Sequence, residues 1–183
     1  MGATIKYLSD KDALEEINTE KEPDFPVLWR TCEEKLLYDA ESYTDEIEDL
    51  FKKKGINKKS TILDTCVGPG FFCVNLLKRG YNLKTADKSK TMIKPFEEEL
   101  KEKGIKHKTI ISKWLDLEKH FKKNSLDFMF NRGNTFIYAG GGWNEDIKID
   151  KKKFIESYKK TLKVYYNLLK KGGYLYIDKF KDS

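Results

Sequence analysis

TILDTCVGPGFF, residues 61–72, is the stretch that decides the fold. The apolar pair Ile62-Leu63 leads to Asp64, and a Gly-Pro-Gly loop over 68–70 then opens an apolar helix. Glycine is needed where the backbone turns sharply or lies directly on a ligand. The exposed N–H groups of a helix start suit a polar or anionic ligand group. The stretch therefore predicts a strand, a tight ligand-binding turn and a helix, with an ordinary strand-to-helix turn as the alternative.

A second acidic residue follows at the end of the next predicted strand. In NLKTADKSKTMI, residues 82–93, Asp87 ends the strand and a new helix begins behind Ser89. A carboxylate at this place can accept both hydroxyls of a ribose that lies across the glycine turn. The nicotinamide or flavin fingerprint G-x-G-x-x-G also places an acid downstream, but its third glycine is Cys73 in this chain. That fingerprint is therefore broken.

The spacing of these residues resembles that of another family. Asp64-x-x-x-Gly68-x-Gly70, followed by Asp87-x-Ser89-x-x-Met92, resembles the class I S-adenosylmethionine (AdoMet) methyltransferases, whose usual loop is D-x-G-x-G-x-G. Cys66 replaces the first glycine, and we expect it to crowd the site without abolishing it. The resemblance implies AdoMet as the cofactor and S-adenosylhomocysteine as the product. The cofactor-binding residues that it implies in this part of the chain are Asp64, Cys66, Gly68, Gly70, Asp87, Lys88 and Met92.

Two later stretches resemble the glycine/sarcosine N-methyltransferase branch of that family. SKWLDL, residues 112–117, is similar to the segment that lines the adenine pocket, which implies adenine contacts for Trp114 and Leu115. A plain core position is the alternative for Trp114. DFMFNRGNTF, residues 127–136, is similar to the end of the fourth strand. The residues that it implies are Asn131 and Gly133 beside the methionine part of the cofactor, and Asn134 at the reacting groups as the catalytic residue.

Residues for the methyl acceptor are harder to assign. The loop TFIYAGGGWNED, residues 135–146, offers Tyr138 and Trp143 as pocket walls, or else it is a flexible surface loop. YLYIDKF, residues 174–180, is similar to the IDHRNYD stretch of the same branch, but Phe180 stands where that stretch has its acceptor-binding arginine. Lys179 is the nearest cation, and the change argues against glycine as the substrate. Arg30 and Arg132 are candidates to bind a carboxylate of the cofactor or of the acceptor.

The bulk composition excludes several other classes of protein. The chain has 183 residues with 39% hydrophobic and 36% charged residues, and it contains no long apolar run that could span a membrane. Three cysteines without a CxxC pair indicate a reducing cytoplasm, and two isolated histidines make a metal site improbable. The net charge of +6 comes from lysines interleaved with glutamates, which is typical of a solvated surface. Nucleic-acid binding is therefore not expected.

Strands and helices alternate along the chain, which is typical of a parallel sheet. The predicted strands cover 61–67, 82–86, 105–111, 125–131 and 174–178, and the longest helix covers 150–173 with Gly172-Gly173 as its cap. The predicted fold is α/β, a Rossmann-like, mostly parallel sheet with helices on both faces that ends after the fifth strand. Residues 1–35 are predicted to form an N-terminal arm or helical cap, and residues 36–183 the AdoMet-binding domain.

The fifth strand is predicted to be a sheet edge, because the antiparallel hairpin of the resembled family is missing after it. The chain is then a fragment, a shortened natural form, or one whose edge is covered by a second copy or another partner. The predicted function is methyl transfer from AdoMet to a small molecule, with an amine as the favoured acceptor. A non-catalytic AdoMet-fold protein or partner subunit, and an RNA or protein methyltransferase, are the alternatives.

Overall fold

Five parallel strands form one sheet in the part of the chain that the structure describes. The structure is a computed structural model that describes residues 25–32, 39–140 and 150–178. The strands are β1 (Ile62–Asp64), β2 (Leu83–Asp87), β3 (Ile110–Ile111), β4 (Leu126–Asn131) and β5 (Leu169–Ile177). Their order is β3-β2-β1-β4-β5, and every pairing is parallel. The predicted Rossmann-like α/β sheet is confirmed, with β5 at one edge of this sheet.

The helices follow the predicted alternation with the strands. They are α1 (Phe25–Cys32), α2 (Ala40–Lys54), α3 (Cys73–Lys78), α4 (Lys94–Glu102) and α5 (Lys151–Leu168), with 3-10 helices over Trp114–Lys119 and Thr135–Gly140. Asp39 caps α2 by accepting the N–H of Ser42 at 2.8 Å, and Gly55 ends it with a left-handed φ of 69°. Helix α4 begins at Lys94 with Pro95 in its first turn, where the missing N–H costs nothing.

The core lies on both faces of the sheet. Side chains alternate along β4, so that Phe128 and Phe130 point to one face and Met129 points to the other. The first face packs against apolar residues of α2, α3 and α4, and the second packs against α5 and the first 3-10 helix. The predicted placement of helices on both faces is therefore confirmed, and the layers leave the carboxyl ends of the strands open for a site.

Two strands are shorter than predicted. Regular pairing of β1 stops at Asp64. Its carboxylate accepts the N–H of Cys66, two residues further on, at 2.9 Å, which starts a turn. The backbone still bonds onward, since Val67 N donates to Ala86 O at 3.1 Å. In the third predicted strand only residues 110–111 pair regularly. In the residues before this pair, the contact with β2 is made by side chains instead: the hydroxyl of Thr85 is hydrogen-bonded to His107 Nε2 at 2.7 Å and to Thr109 Oγ1 at 3.0 Å.

The predicted glycine cap of the longest helix is wrong. Helix α5 ends at Leu168, whose carbonyl accepts the N–H of Ser125 at 2.9 Å, so the turn before β4 satisfies the helix end. Gly172 and Gly173 lie inside β5, where the pairing with β4 shifts register. A Cβ on Gly173 would lie 3.1 Å from Leu126 O. Glycine fits this position because the backbones of β4 and β5 approach closely here.

The N-terminal region that was predicted as an arm or cap is described only in part. Residues 1–24 and 33–38 lie outside the described residues, and the domain boundary at 35/36 stays a prediction. Helix α1 docks on the sheet domain through Arg30, which donates to Pro69 O at 3.2 Å and pairs with Glu99 of α4. Among the described residues, no helix is long and apolar enough to cross a membrane.

Candidate functional site

The turn after β1 is built around the buried carboxylate of Asp64. One oxygen accepts the N–H of Cys66 at 2.9 Å, and the other accepts the thiol of Cys73 at 3.3 Å. The side chain is 1% exposed, and burial raises the pKa of Asp64 to about 6. Asp64 was predicted to bind the cofactor; in the structure its contacts order the loop.

The two glycines of the loop have different roles. Gly68 has a φ of 50° and lies on the wall of a cavity at the carboxyl end of the sheet. Gly70 has a φ of 90°, and a Cβ there would lie 2.1 Å from Cδ2 of Phe96 in α4. Gly70 is therefore required for packing, and it does not line the cavity. Its predicted contact with a cofactor gains no support from this placement.

Asp87 connects the end of β2 to the glycine loop. Its Oδ2 accepts the N–H of Gly68 at 2.9 Å, and its Oδ1 accepts the N–H of Ser89 at 2.9 Å. The side chain is 8% exposed and lines the cavity; burial raises its pKa, although the two backbone N–H groups act against that rise. Each carboxylate oxygen keeps a second lone pair, so the group can accept further hydrogen bonds from a hydroxylated ligand.

An indole ring forms the wall of the cavity beyond β3. Trp114 donates its Nε1–H to Thr65 O at 2.8 Å, which fixes the ring over the end of β1. Its neighbour Leu115 is 53% exposed at the rim. Both residues line the same cavity as Asp87.

The loop after β4 is tied to the loop after β1. Thr135 donates its hydroxyl to Arg132 O at 2.8 Å and lies 3.1 Å from the sulfur of Cys66. Cys66 in turn directs its thiol to Arg132 O at 3.5 Å. Gly133 N donates to Asp178 Oδ2 at 3.0 Å, so the residue after β5 also holds this loop. The two loops that border the cavity are thus joined by side chains.

These elements enclose a cavity of about 570 Å³, which lies within the usual range for small-molecule sites. Ten of the predicted site residues line it: Cys66, Gly68, Asp87, Lys88, Met92, Trp114, Leu115, Arg132, Gly133 and Tyr138. Trp143 and Lys179, the other two predicted acceptor contacts, lie outside the described residues.

The structure does not bring the remaining predicted residues to the cavity wall. Asn131 is fully buried behind it, where its Nδ2 donates to Tyr165 Oη at 2.8 Å and to Thr65 Oγ1 at 3.2 Å. Asn134, predicted as catalytic, has a left-handed φ of 56°, and its N–H is held by Asp178 Oδ1 at 2.9 Å. Arg30 is engaged with Glu99 and Pro69 on α4 and the glycine loop. Asn131 and Arg30 therefore brace the walls.

Several residues that line the cavity did not stand out in the sequence. They are Trp29, Thr65, Val67, Pro69, Ser89, Ser112, Lys113, Thr135, Ala139 and Thr161. The residues that directly follow a strand could have been predicted by including every residue of the loop after that strand, and not only the residues that match a motif. Trp29 and Thr161 belong to helices α1 and α5, far away in the chain. Only the packing of these helices shows that they reach the site.

The cavity lies at the switch point of an open parallel sheet, which is where ligands bind in folds of this kind. The family model of the methyltransferase domain matches residues 56–182, and the chain belongs to this family. The chain is 29% identical over 139 residues to an uncharacterised protein of Methanocaldococcus jannaschii, covering 73% of this chain and 42% of that protein. It is 28% identical over 118 residues to the glycine/sarcosine N-methyltransferase of Aphanothece halophytica, covering 64% and 39%.

Solved structures show the same fold. The S-adenosylmethionine-dependent methyltransferase of Clostridium acetobutylicum matches with a TM-score of 0.64 and 19% identity, covering 84% of this chain and 56% of that one. A SAM-dependent methyltransferase of Aquifex aeolicus matches with a TM-score of 0.57 and 22% identity, covering 86% and 72%. The chain spans about two fifths of the length of the two curated relatives, 42% and 39%.

Proposed function

We propose that this protein is an AdoMet-dependent methyltransferase that acts on a small molecule, with an amine as the acceptor. The observation that carries the proposal is Asp87, a buried carboxylate that faces the cavity while its oxygens hold Gly68 N and Ser89 N, each at 2.9 Å. A buried acid at the end of the second strand that is hydrogen-bonded to the glycine turn is oriented to accept the two hydroxyls of a ribose. Membership of the methyltransferase family supports AdoMet as the nucleoside.

The residues present fit this cofactor. Trp114 and Leu115 offer apolar surface to an adenine ring next to Asp87. Gly68 leaves space above the turn, since the nearest atom to a Cβ built there is Met92 Cε at 3.8 Å. Beyond β1, the wall continues to Arg132 and Gly133, where the amino-acid end of the cofactor would lie. When bound, AdoMet supplies a methyl group on a positively charged sulfur, which is already an activated leaving group.

The protein's own contribution is then alignment and exclusion of water. Orientation of two reactants in a closed site can lower a barrier by about 7 to 11 kcal/mol. Among the described lining residues, Asp87 is the only carboxyl group and there is no histidine. An amine that enters in its neutral form needs no general base, which agrees with this lining. Tyr138, Ala139 and Trp29 form the part of the wall that is left for the acceptor.

Two observations support a small acceptor and an amine. A cavity of about 570 Å³ is of a size that can hold the cofactor with a small acceptor beside it. The sequence similarity to a glycine/sarcosine N-methyltransferase favours nitrogen as the accepting atom. Phe180, at the place of that branch's acceptor arginine, argues for an amine other than glycine.

Isothermal titration with AdoMet and S-adenosylhomocysteine tests the proposal. We expect micromolar binding by the wild type and its loss in Asp87→Ala. Asp49→Asn is the matched control: it removes the same charge from an exposed acid of α2 that pairs with Lys52 at 2.9 Å, and it should leave binding unchanged. The wild type is then incubated with AdoMet and a panel of small amines, and S-adenosylhomocysteine formation is measured. Absence of binding would contradict the proposal; binding without transfer to any amine would favour the non-catalytic alternative.

A further inference from the structure

Two aromatic side chains reach the cavity from elements that the nucleoside residues do not belong to. Trp29 belongs to α1, Tyr138 belongs to the 3-10 helix after β4, and both line the cavity. We call these two residues the aromatic wall. Asp87 ends β2 and Trp114 follows β3, whereas β1 separates β2 from β4. Tyr138 therefore lies across β1 from the residues that we assign to the nucleoside.

The short helix that carries Tyr138 is fixed by contacts on its other sides. Phe136 packs against Tyr158 of α5 with the ring centres 4.9 Å apart, and a Cβ on Gly140 would collide with the ring of Phe154. Three residues complete one turn of a 3-10 helix, so the side chain of residue 138 projects from a different side than residues 136 and 140. Tyr138 is thus held in place by its neighbours, while its own side chain is 44% exposed.

The helix that carries Trp29 is docked over the glycine loop. The next residue, Arg30, donates to Pro69 O at 3.2 Å and pairs with Glu99 of α4. Both members of the aromatic wall are therefore positioned by contacts with the rest of the protein. Little conformational entropy is lost when a ligand packs against side chains that are already in place.

The surface beside Tyr138 is uncharged. Ala139 follows it in the 3-10 helix, and Thr135 of the same helix and Thr161 of α5 also line the cavity. Aromatic faces bind flat apolar groups by stacking and by removing apolar area from water. An acceptor with a ring would cover the exposed part of Tyr138, whereas an acceptor as small as glycine would leave it in water.

We propose that the methyl acceptor is an amine that carries an aromatic ring, and that Tyr138 determines this specificity by packing against that ring. The inference rests on the proposed function and names the substrate class of the same site. Tyr138 is in this view a specificity residue of the acceptor side, and the nucleoside residues around Asp87 do not depend on it.

Titrations with two matched amines test the proposal. The wild type, saturated with S-adenosylhomocysteine, is titrated with phenethylamine and with ethylamine, which differ only in the phenyl ring. We expect phenethylamine to bind about 10- to 100-fold more tightly, because one ring is buried against an aromatic surface. Tyr138→Ala should lose most of this preference, and Tyr138→Phe, which keeps the ring, should retain it. Tyr166→Ala is the matched control, since Tyr166 is 72% exposed on α5 and does not line the cavity.

The outcomes separate this inference from the proposed function. A wild type that binds S-adenosylhomocysteine but has equal affinity for the two amines, or binds neither, would overturn the aromatic acceptor and leave the cofactor site standing. A Tyr138→Ala variant that keeps the full preference would overturn the role of Tyr138. A wild type that does not bind S-adenosylhomocysteine would overturn both proposals. Should Tyr138→Ala fail to fold, Tyr138→Leu, which keeps an apolar side chain without the ring, takes its place and should show the same loss.

Discussion

The ring of Phe96 fills the space that a side chain at residue 70 would need: a Cβ built on Gly70 would lie 2.1 Å from Cδ2 and 2.8 Å from Cβ of Phe96. Phe96 is fully buried in α4, the helix that follows β2. The glycine turn after β1 is thus locked against the neighbouring strand–helix unit. The backbone of the turn is also bonded to the strand of this unit, because Asp87 accepts the N–H of Gly68.

Gly70→Ala should destabilise the fold strongly. The clash involves the root of the Phe96 side chain, and the φ of 90° adds strain, so we expect a loss of about 2 to 5 kcal/mol in the free energy of unfolding. Gly55→Ala is the control, since it has a φ of 69° but no atom within 4 Å of the new Cβ, and it should cost only about 1 kcal/mol. Urea denaturation measures both. Equal losses would show that Phe96 does not limit residue 70.

Asp64 should make the free energy of unfolding fall as the pH rises, which is the opposite of the usual effect of a carboxyl group. Burial raises its pKa in the folded state from 3.8 to about 6, so its contribution to stability is complete below the lower value and is lost as the pH rises to the higher one. The free energy of unfolding of the wild type minus that of Asp64→Asn should therefore fall between about pH 4 and pH 6, by up to about 3 kcal/mol, and then stay level.

Asp116 supplies the control of opposite sign for that experiment. Its hydrogen bond to Lys119 lowers its pKa, so its contribution is lost as the pH falls. The free energy of unfolding of the wild type minus that of Asp116→Asn should therefore rise with pH. Because this acid is exposed, the rise should be small, and the difference could stay flat. A wild-type minus Asp64→Asn difference that rises with pH would contradict the burial argument.

Cys66 should be tolerated as serine and not as glycine. Its sulfur lies 3.1 Å from the Thr135 hydroxyl, and its thiol bonds Arg132 O, so serine preserves both links. Cys66→Gly removes them and adds backbone freedom, which should cost about 1 to 2 kcal/mol of stability. Thermal unfolding of the two variants checks this. A glycine variant as stable as the wild type would show that the two loops do not depend on Cys66.

Trp114→Phe should weaken AdoMet binding while retaining a flat ring. The variant loses the indole N–H that donates to Thr65 O at 2.8 Å, so the ring is no longer fixed over the end of β1. We expect a loss of about 3- to 10-fold in affinity, equivalent to one neutral hydrogen bond, and a larger loss for Trp114→Ala. Titration with AdoMet measures both. Equal affinity in all three proteins would place the adenine elsewhere.

Local patterns in the sequence were enough to predict the parallel sheet and its ligand edge. Asp64 and Asp87 each end an apolar run of β type, and the strands do end there. These features depend on near neighbours in the chain: alternation, helix caps and glycine turns. Where a distant contact competes, the prediction was wrong, as at Gly172 and Gly173, whose place is set by the backbone of β4.

Contacts between distant segments decided the roles of individual site residues. The glycine pattern treats Gly68 and Gly70 alike, yet one lines the cavity and the other packs on Phe96. Arg30 and Arg132 were equal candidates for a carboxylate, yet packing pairs the first with Glu99 and buries the guanidinium of the second 5.0 to 5.3 Å from the ring centres of Tyr43, Phe71 and Phe72. The sequence by itself determined the fold and the edge of the sheet at which the cavity lies, because these follow from local patterns. Only the tertiary structure decided which side chains face the cavity, because that depends on partners tens of residues away in the chain.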